Sequence, residues 1–332
     1  MASALPLRAA LVRGALITAA NWPIVLIEFT IESLYKLALA VPIVGGAFMV
    51  AVLLDADVRA LFEEGLRSAG EKVAGSLQSA PIALGSFLVA VAVVAVGGAI
   101  VLYVVKVGTL AMLVKADRVS GEVQRSPISL ASVRRAAVSD MAGVVAAARR
   151  HGRRATALAL WLSVTYGVIG ASYIAALGLA LRVAESTAWS PAWPLIVLIS
   201  TSTGVVAVAV VNLAFDLLRV IVVTDDCEVR PALTRLRRFV VQDARQVLGI
   251  FGVVFAFQLL ATAASVMMTA GLTFVAWVPI AGLISAPLRA AAWLIQGLLF
   301  QYVALAAVSA YQTQYRRFAA PAAPAELVRE HA

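Results

Sequence analysis

Glu28, Glu32 and Lys36 stand at i, i+4 and i+8 in an otherwise apolar stretch, a spacing that puts all three on one face of a helix. Ionisable groups inside a bilayer mark an ion or proton path by default. Held instead at head-group level, the same residues form a solvated or self-paired face with Trp22 as the interface anchor. Residues 37–54 suffice as a span without them, which favours the head-group reading. Asp216 lies four residues after Asn212 and three before Arg219. An internal Asp216–Arg219 pair is therefore expected, with a coupling-ion role as the alternative. Gln258, Gln296 and Gln301 interrupt apolar runs, where amides bond across helices; lining a cavity, they would meet a polar head group. Glu28, Glu32, Lys36, Asp216, Gln258 and Gln296 together form the candidate lining of a polar cavity. Asp225, Asp226 and Glu228 flank Cys227. A hard cation needs several convergent oxygens and near-adjacent residues cannot all converge, so the segment reads as a solvated helix end without a metal.

The remaining chemistry is sparse. His151 and His331 are the only histidines, too few and too far apart for a metal centre. There is no HExxH, no paired CxxC, no GxSG, no P-loop and no GxGxxG after a predicted strand. A nucleophile needs a base within hydrogen-bond reach, and no histidine falls in a predicted span. Acid–base work by lysine and carboxylate pairs is the residual enzymatic reading. The expectation is a non-enzymatic protein with no cofactor and no catalytic residues.

The elements that must position these residues follow from composition. Of 332 residues, 62% are hydrophobic and 14% charged, and the mean hydropathy is +0.94. A soluble domain carries about 45–50% apolar and about 25% charged residues, so a soluble globular enzyme and a disordered chain are both excluded. Spans of about 20 apolar residues are expected at about 37–54, 82–105, 155–181, 193–215, 247–270 and 290–310. Residues 22–54 as one helix would be about 50 Å long, against a hydrocarbon core of about 30 Å. Part of that helix must then leave the core or tilt. Gly85, Gly97 and Gly98 permit close helix approach in the second span. The uncharged stretch 271–288, with Pro279 and Pro287, reads either as an exposed turn or as a re-entrant hairpin.

Loop charge orients the spans. Nine Lys/Arg fall between 115 and 154 and six arginines between 219 and 245, with Arg316 and Arg317 after the sixth span. Segment 55–81 has three basic and five acidic residues, and Arg182 and Arg289 are the only basic residues of 182–192 and 271–289. By the positive-inside rule both termini are cytoplasmic, with Arg8 and Arg13 ahead of an uncleaved first apolar stretch. The net charge of +9 is read the same way, as topology and attraction to anionic lipid, with no nucleic acid as partner. A single cysteine excludes an intrachain disulfide. The Ala/Val/Arg bias suggests a GC-rich bacterial genome, hence a bacterial inner membrane.

The exits of the second and fourth spans echo one another. GTLAMLVKAD at 108–117 and DLLRVIVVTD at 216–225 are offset by 108 residues. Each is followed by a proline (Pro127, Pro231) and then an Arg pair (Arg134–Arg135, Arg237–Arg238), and the sixth exit, Tyr302–Arg317, also ends in Arg–Arg. Three helical hairpins with amphipathic cytoplasmic extensions are one reading; the other is that any basic cytoplasmic exit looks alike. Ser129–Arg154, with Leu130, Val133, Val138 and Val144 beside its arginines, reads as a basic amphipathic segment on an anionic leaflet. The candidate lipid-facing basic residues are Arg134, Arg135, Arg149, Arg150, Arg237 and Arg238.

The exit DLLRVIVVTDD at 216–226 and the segment RPALTRLRRFVVQDARQVLGIF at 230–251 resemble the bacterial six-span membrane domains found alone or fused to glycerophosphodiester phosphodiesterases. The resemblance covers the second half of the chain. No phosphodiesterase domain accompanies it, so it implies an accessory or lipid-related membrane role and no reaction. The expected protein is an all-α bundle of six spans forming one membrane domain over 1–320, with a flexible tail at 321–332. It is a scaffold or accessory protein whose Arg-rich loops meet anionic lipid head groups or a protein partner at the cytoplasmic face. The alternative is a transporter or lipid-handling protein with a polar cavity between hairpins.

Overall fold

The computed structural model describes residues 6–53, 81–125, 128–186, 192–275 and 279–319; the expected tail at 321–332 and most of segment 55–81 lie outside them. Among the described residues the regular elements are helices: α1 (Leu7–Ala20), α2 (Trp22–Leu53), α3 (Pro81–Val119), α4 (Leu130–Ala136), α5 (Met141–Ser186), α6 (Ala192–Thr224), α7 (Val229–Gln242), α8 (Ala244–Val275) and α9 (Pro279–Ala319). Apolar runs of this length adopt helix because hydrocarbon offers the backbone no other hydrogen-bond partner. Their ends are set by local chemistry. The Asp140 carboxylate accepts from the Gly143 N–H at 3.0 Å and caps the start of α5. Past the end of α3, Gly121 takes φ +59°, and past α6, Asp226 takes φ +50°, the left-handed turn that glycine and aspartate tolerate best.

Among the described residues, five stretches are long and apolar enough to cross a membrane: Gly85–Val119, Met141–Ala180, Pro194–Thr224, Ala244–Met268 and Pro287–Ala319. The chain is an integral membrane protein on that basis. The first expected span, 37–54, falls on the second half of α2, at the edge of the described residues. Gly271–Val275 continue α8 and 279–288 open α9, so both flanks of the apolar stretch 271–288 belong to long helices.

The helices overrun the expected spans. α3, α5 and α9 have 39, 46 and 41 residues, and α5 is about 69 Å long at 1.5 Å per residue, more than twice the hydrocarbon thickness. In α5, α6, α8 and α9 the side chains pack mainly along one half of the helix. In α5, Leu158 and Ala159 are buried while Val164, Val168, Ile174 and Leu179 are exposed. In α6, Leu198, Val205 and Val210 are exposed and Leu217 to Val223 buried. α8 buries Val247 and Ile250 and exposes Leu260, Val266 and Met267; α9 exposes Trp293 and Ile295 and buries Leu305 and Ala307 to Tyr315. The packed half is N-terminal in α5 and α8 and C-terminal in α6 and α9, as antiparallel neighbours require. Exposed apolar surface on this scale belongs against lipid.

The described residues of Met1–Phe29 and Val104–Ala332 form one compact unit, and those of Thr30–Tyr103 another. In the latter, the Tyr35 hydroxyl donates to the Ala95 carbonyl at 3.2 Å. Gly98 leaves room for the Tyr35 ring, whose carbon would lie 2.3 Å from a Cβ there. The larger unit has a core of Ile17, Ile24, Val25, Met112, Leu113, Ala116, Val144 and Leu305. There α1 crosses α9 at Gly14, where a Cβ would sit 2.3 Å from the Ala306 carbonyl oxygen and 2.9 Å from the Ala310 nitrogen. Gly14→Ala is therefore expected to destabilise by about 1–3 kcal/mol through overpacking, whereas Gly152→Ala, mid-helix and facing open space, should stabilise by up to about 1 kcal/mol. Thermal melts in mild detergent check this, and equal melting of the two variants would refute the close crossing.

Candidate functional site

Asp117 closes the last turn of α3 with 4% of its surface exposed. Arg13 of α1, itself 8% exposed, donates its Nε–H to Asp117 Oδ1 at 2.7 Å. Its terminal nitrogens donate to the Asp117 carbonyl and Ser120 Oγ, each at 2.9 Å. They also reach Gln124 Oε1 at 2.8 Å and the Gly121 carbonyl. From α9, Thr313 donates to Oδ1 at 3.2 Å and Arg316 to Oδ2. One carboxylate thus binds three helices through charge-assisted hydrogen bonds, the strong kind. The sequence shows Arg13 as a topological charge and Asp117 as the acid ending an apolar run; neither signals that they meet.

Glu28, 2% exposed, accepts from Thr109 of α3 and from Gln301 Nε2 of α9 at 2.7 Å. The self-paired face expected of Glu28, Glu32 and Lys36 is thus divided. Glu32 and Lys36 pair at 2.9 Å, while Glu28 is sealed in the helix interface. Gln301 is the cross-helix amide that its position suggested. Asn21 ends α1, donating to the Ile17 and Ala136 carbonyls at 2.8 Å each and accepting from the Val138 and Ser139 N–H groups, which ties the segment after α4 to α1. Asp216 takes Arg219 at 3.0 Å, the i, i+3 pair its spacing called for. Gln296 accepts from Ser265 and lines a cavity of about 400 Å³ with Met268, Arg289 and Trp293. Gln258 contributes its backbone carbonyl to Thr262.

The turn between α6 and α7 is not merely solvated. Asp225 accepts from the Tyr315 hydroxyl and from Arg235. Asp226 accepts from Arg150 at 2.6 Å and from Arg154, and Glu228 from Arg153 at 2.6 Å. Hydrogen bonds from Arg150 and Arg154 hold the Asp226 carboxyl below the usual range, the bond to Asp225 raises Arg235, and burial pushes the Cys227 thiol up. The two acids of the sequence echo, Asp117 and Asp225, both find partners on α9, Thr313 and Arg316 for one and Tyr315 for the other. Arg134, Arg135, Arg149, Arg237 and Arg238 are exposed, and Arg150 is committed to Asp226. Arg13, Asn21, Asp117 and His151 are the polar residues whose importance the spacing did not disclose. For Asp117 a signal existed, the repeat of an apolar run ending in an acid.

Neither protein-family models nor curated proteins nor solved structures match this chain. The functional reading therefore starts from the chemistry of the site.

Removing one partner of a buried ion pair costs about 3–5 kcal/mol. Asp117→Asn and Arg13→Met should each lower the melting temperature sharply, and a parent-like melt for either would show that the cluster does not hold α1, α3 and α9 together. Asp226 behaves differently with pH. Its folded pKa lies below the unfolded one, so its stabilisation is complete above the ordinary carboxylate value of about 3.9 and is lost as pH falls through the depressed folded value. Asp226→Asn, which keeps a residue tolerant of the left-handed turn, should melt lower than the parent at neutral pH and show a flatter acid limb; parallel acid limbs would contradict this.

Proposed function

We propose that the chain is a non-enzymatic, six-span protein of a bacterial inner membrane with both termini cytoplasmic, acting as a scaffold or accessory protein whose arginine-rich face meets anionic lipid. The observation that carries this reading is the set of exposed arginines, Arg134 and Arg135 on α4, Arg149 on α5, Arg237 and Arg238 on α7. α7 supports it as an amphipathic element. Its Ala232 and Phe239 are buried, Phe239 meeting Tyr315 edge-on at 5.4 Å, while its arginines face outward. A basic residue near an anionic leaflet contributes about 1 kcal/mol, so several together hold a lipid annulus. The inner polar groups support a scaffold over a transporter, since Glu28 is sealed and Asp216 is paired. Of the residues expected to line a transport cavity, Gln296 alone lines the one between α8 and α9, and this favours the transporter as second reading. The resemblance to membrane domains fused to glycerophosphodiester phosphodiesterases agrees with a lipid-related accessory role.

The test is lipid retention. Chain carrying Arg134→Gln, Arg135→Gln, Arg237→Gln and Arg238→Gln, purified through detergent from membranes containing phosphatidylglycerol and phosphatidylethanolamine, should retain several-fold less phosphatidylglycerol by mass spectrometry, with phosphatidylethanolamine and melting temperature unchanged. Undiminished phosphatidylglycerol retention overturns the proposal.

A further inference from the structure

Within the larger unit, α3, α5 and α6 converge around a cavity of about 240 Å³. Its polar lining is Lys115 and Arg118 of α3, Arg150 and His151 of α5, Thr224 at the end of α6, and Asp226 in the turn beyond. Three permanent cations thus face one carboxylate, and that carboxylate is already held by Arg150 and Arg154. Lys115 and Arg118 meet no acid among the described residues. Two further donors are shut in without an acceptor. His151 is 6% exposed, yet its Nδ1 makes no hydrogen bond; the nearest Asp226 oxygen stands 3.6 Å away, beyond bonding distance. The Thr224 hydroxyl is closed to solvent and also unmatched. Buried polar groups are normally satisfied, and an exception calls for an explanation.

The two orphans and the free cations ask for the same thing, an acceptor with negative charge and more than two oxygens. A carboxylate would leave donors from three helices unmatched, whereas a tetrahedral oxyanion offers an oxygen to each. The volume falls below the about 300 Å³ at which pockets for drug-sized ligands begin, which leaves room for a head group and not for acyl chains or a nucleotide. We propose that this cavity binds the phosphate group of a phosphomonoester, with Lys115 and Arg118 supplying charge and His151, as its Nδ1–H tautomer, and Thr224 donating to the phosphate oxygens. The phosphate can belong to a lipid head group or to a soluble ester, and only the lipid source rests on the membrane-facing reading given above.

The test is calorimetric titration of the intact chain in uncharged detergent with two probes, inorganic phosphate and dihexanoyl phosphatidate, at fixed ionic strength set with chloride. Binding of both probes at similar strength identifies a soluble phosphate source, and binding of phosphatidate alone identifies the lipid. In either case Thr224→Val, which keeps the side-chain volume, and the exposed double variant Lys115→Gln, Arg118→Gln should weaken binding about tenfold or more without changing the melting temperature. Absence of binding by both probes, or unchanged binding in both variants, overturns the proposal. The Arg134/Arg135/Arg237/Arg238 variant separates the two readings. It should lose bulk phosphatidylglycerol and keep this site, so either function can fail alone.

Discussion

A carboxylate almost closed to solvent is stable only when its charge is matched and its lone pairs are filled, and at Asp117 this condition dictates how three helices meet. Arg13 must come from α1 with its guanidinium edge toward α3, and Arg316 and Thr313 must come from α9. Gly14, one residue beyond Arg13, lets α1 approach α9 backbone to backbone, and the cluster cannot close if that approach widens. The hydrophobic contacts of Ile17, Met112, Ala116 and Leu305 then follow. Burial of apolar surface is non-directional; the ion cluster supplies the direction.

The same principle explains why the helices pack unevenly along their length. Between lipid tails there is no hydrophobic drive for helices to associate, and the apolar halves of α5, α6, α8 and α9 accordingly show much exposed surface. The helices pack instead along their other halves, where they bury Leu158, Leu217, Ile250 and Tyr315. The fold is thus held at one end of its helices, with the turn between α6 and α7 laced to α5, α7 and α9 by Asp225, Asp226 and Glu228. Exposed pairs of this kind add little individually, and their service is to fix where the turn lies.

Two sets of polar groups among the described residues have different meaning. Glu28, Asn21, Asp117 and Gln301 spend their hydrogen-bonding capacity inside the protein, which is the mark of architecture. The exposed arginines and the donors around the cavity between α3, α5 and α6 have capacity left over, which is the mark of a surface awaiting anions.

The sequence by itself determined the class of the protein, because a chain so apolar has one solvent it can inhabit, and it located the apolar core of five helices. It also determined what is local. The Asp216–Arg219 pair and the Glu32–Lys36 pair follow from helical periodicity, which neighbours in sequence carry with them. Helix ends were less legible, since a charged residue ends an apolar run without ending a helix, and α3, α5 and α9 run past theirs. Tertiary structure alone decided that Arg13 meets Asp117 across 104 residues, that Glu28 turns toward Thr109 and Gln301, and that His151 and Thr224 share a cavity. Helix docking sets those meetings, and docking depends on the shapes of whole faces and on the closure of buried charge, which no periodicity along a single helix encodes.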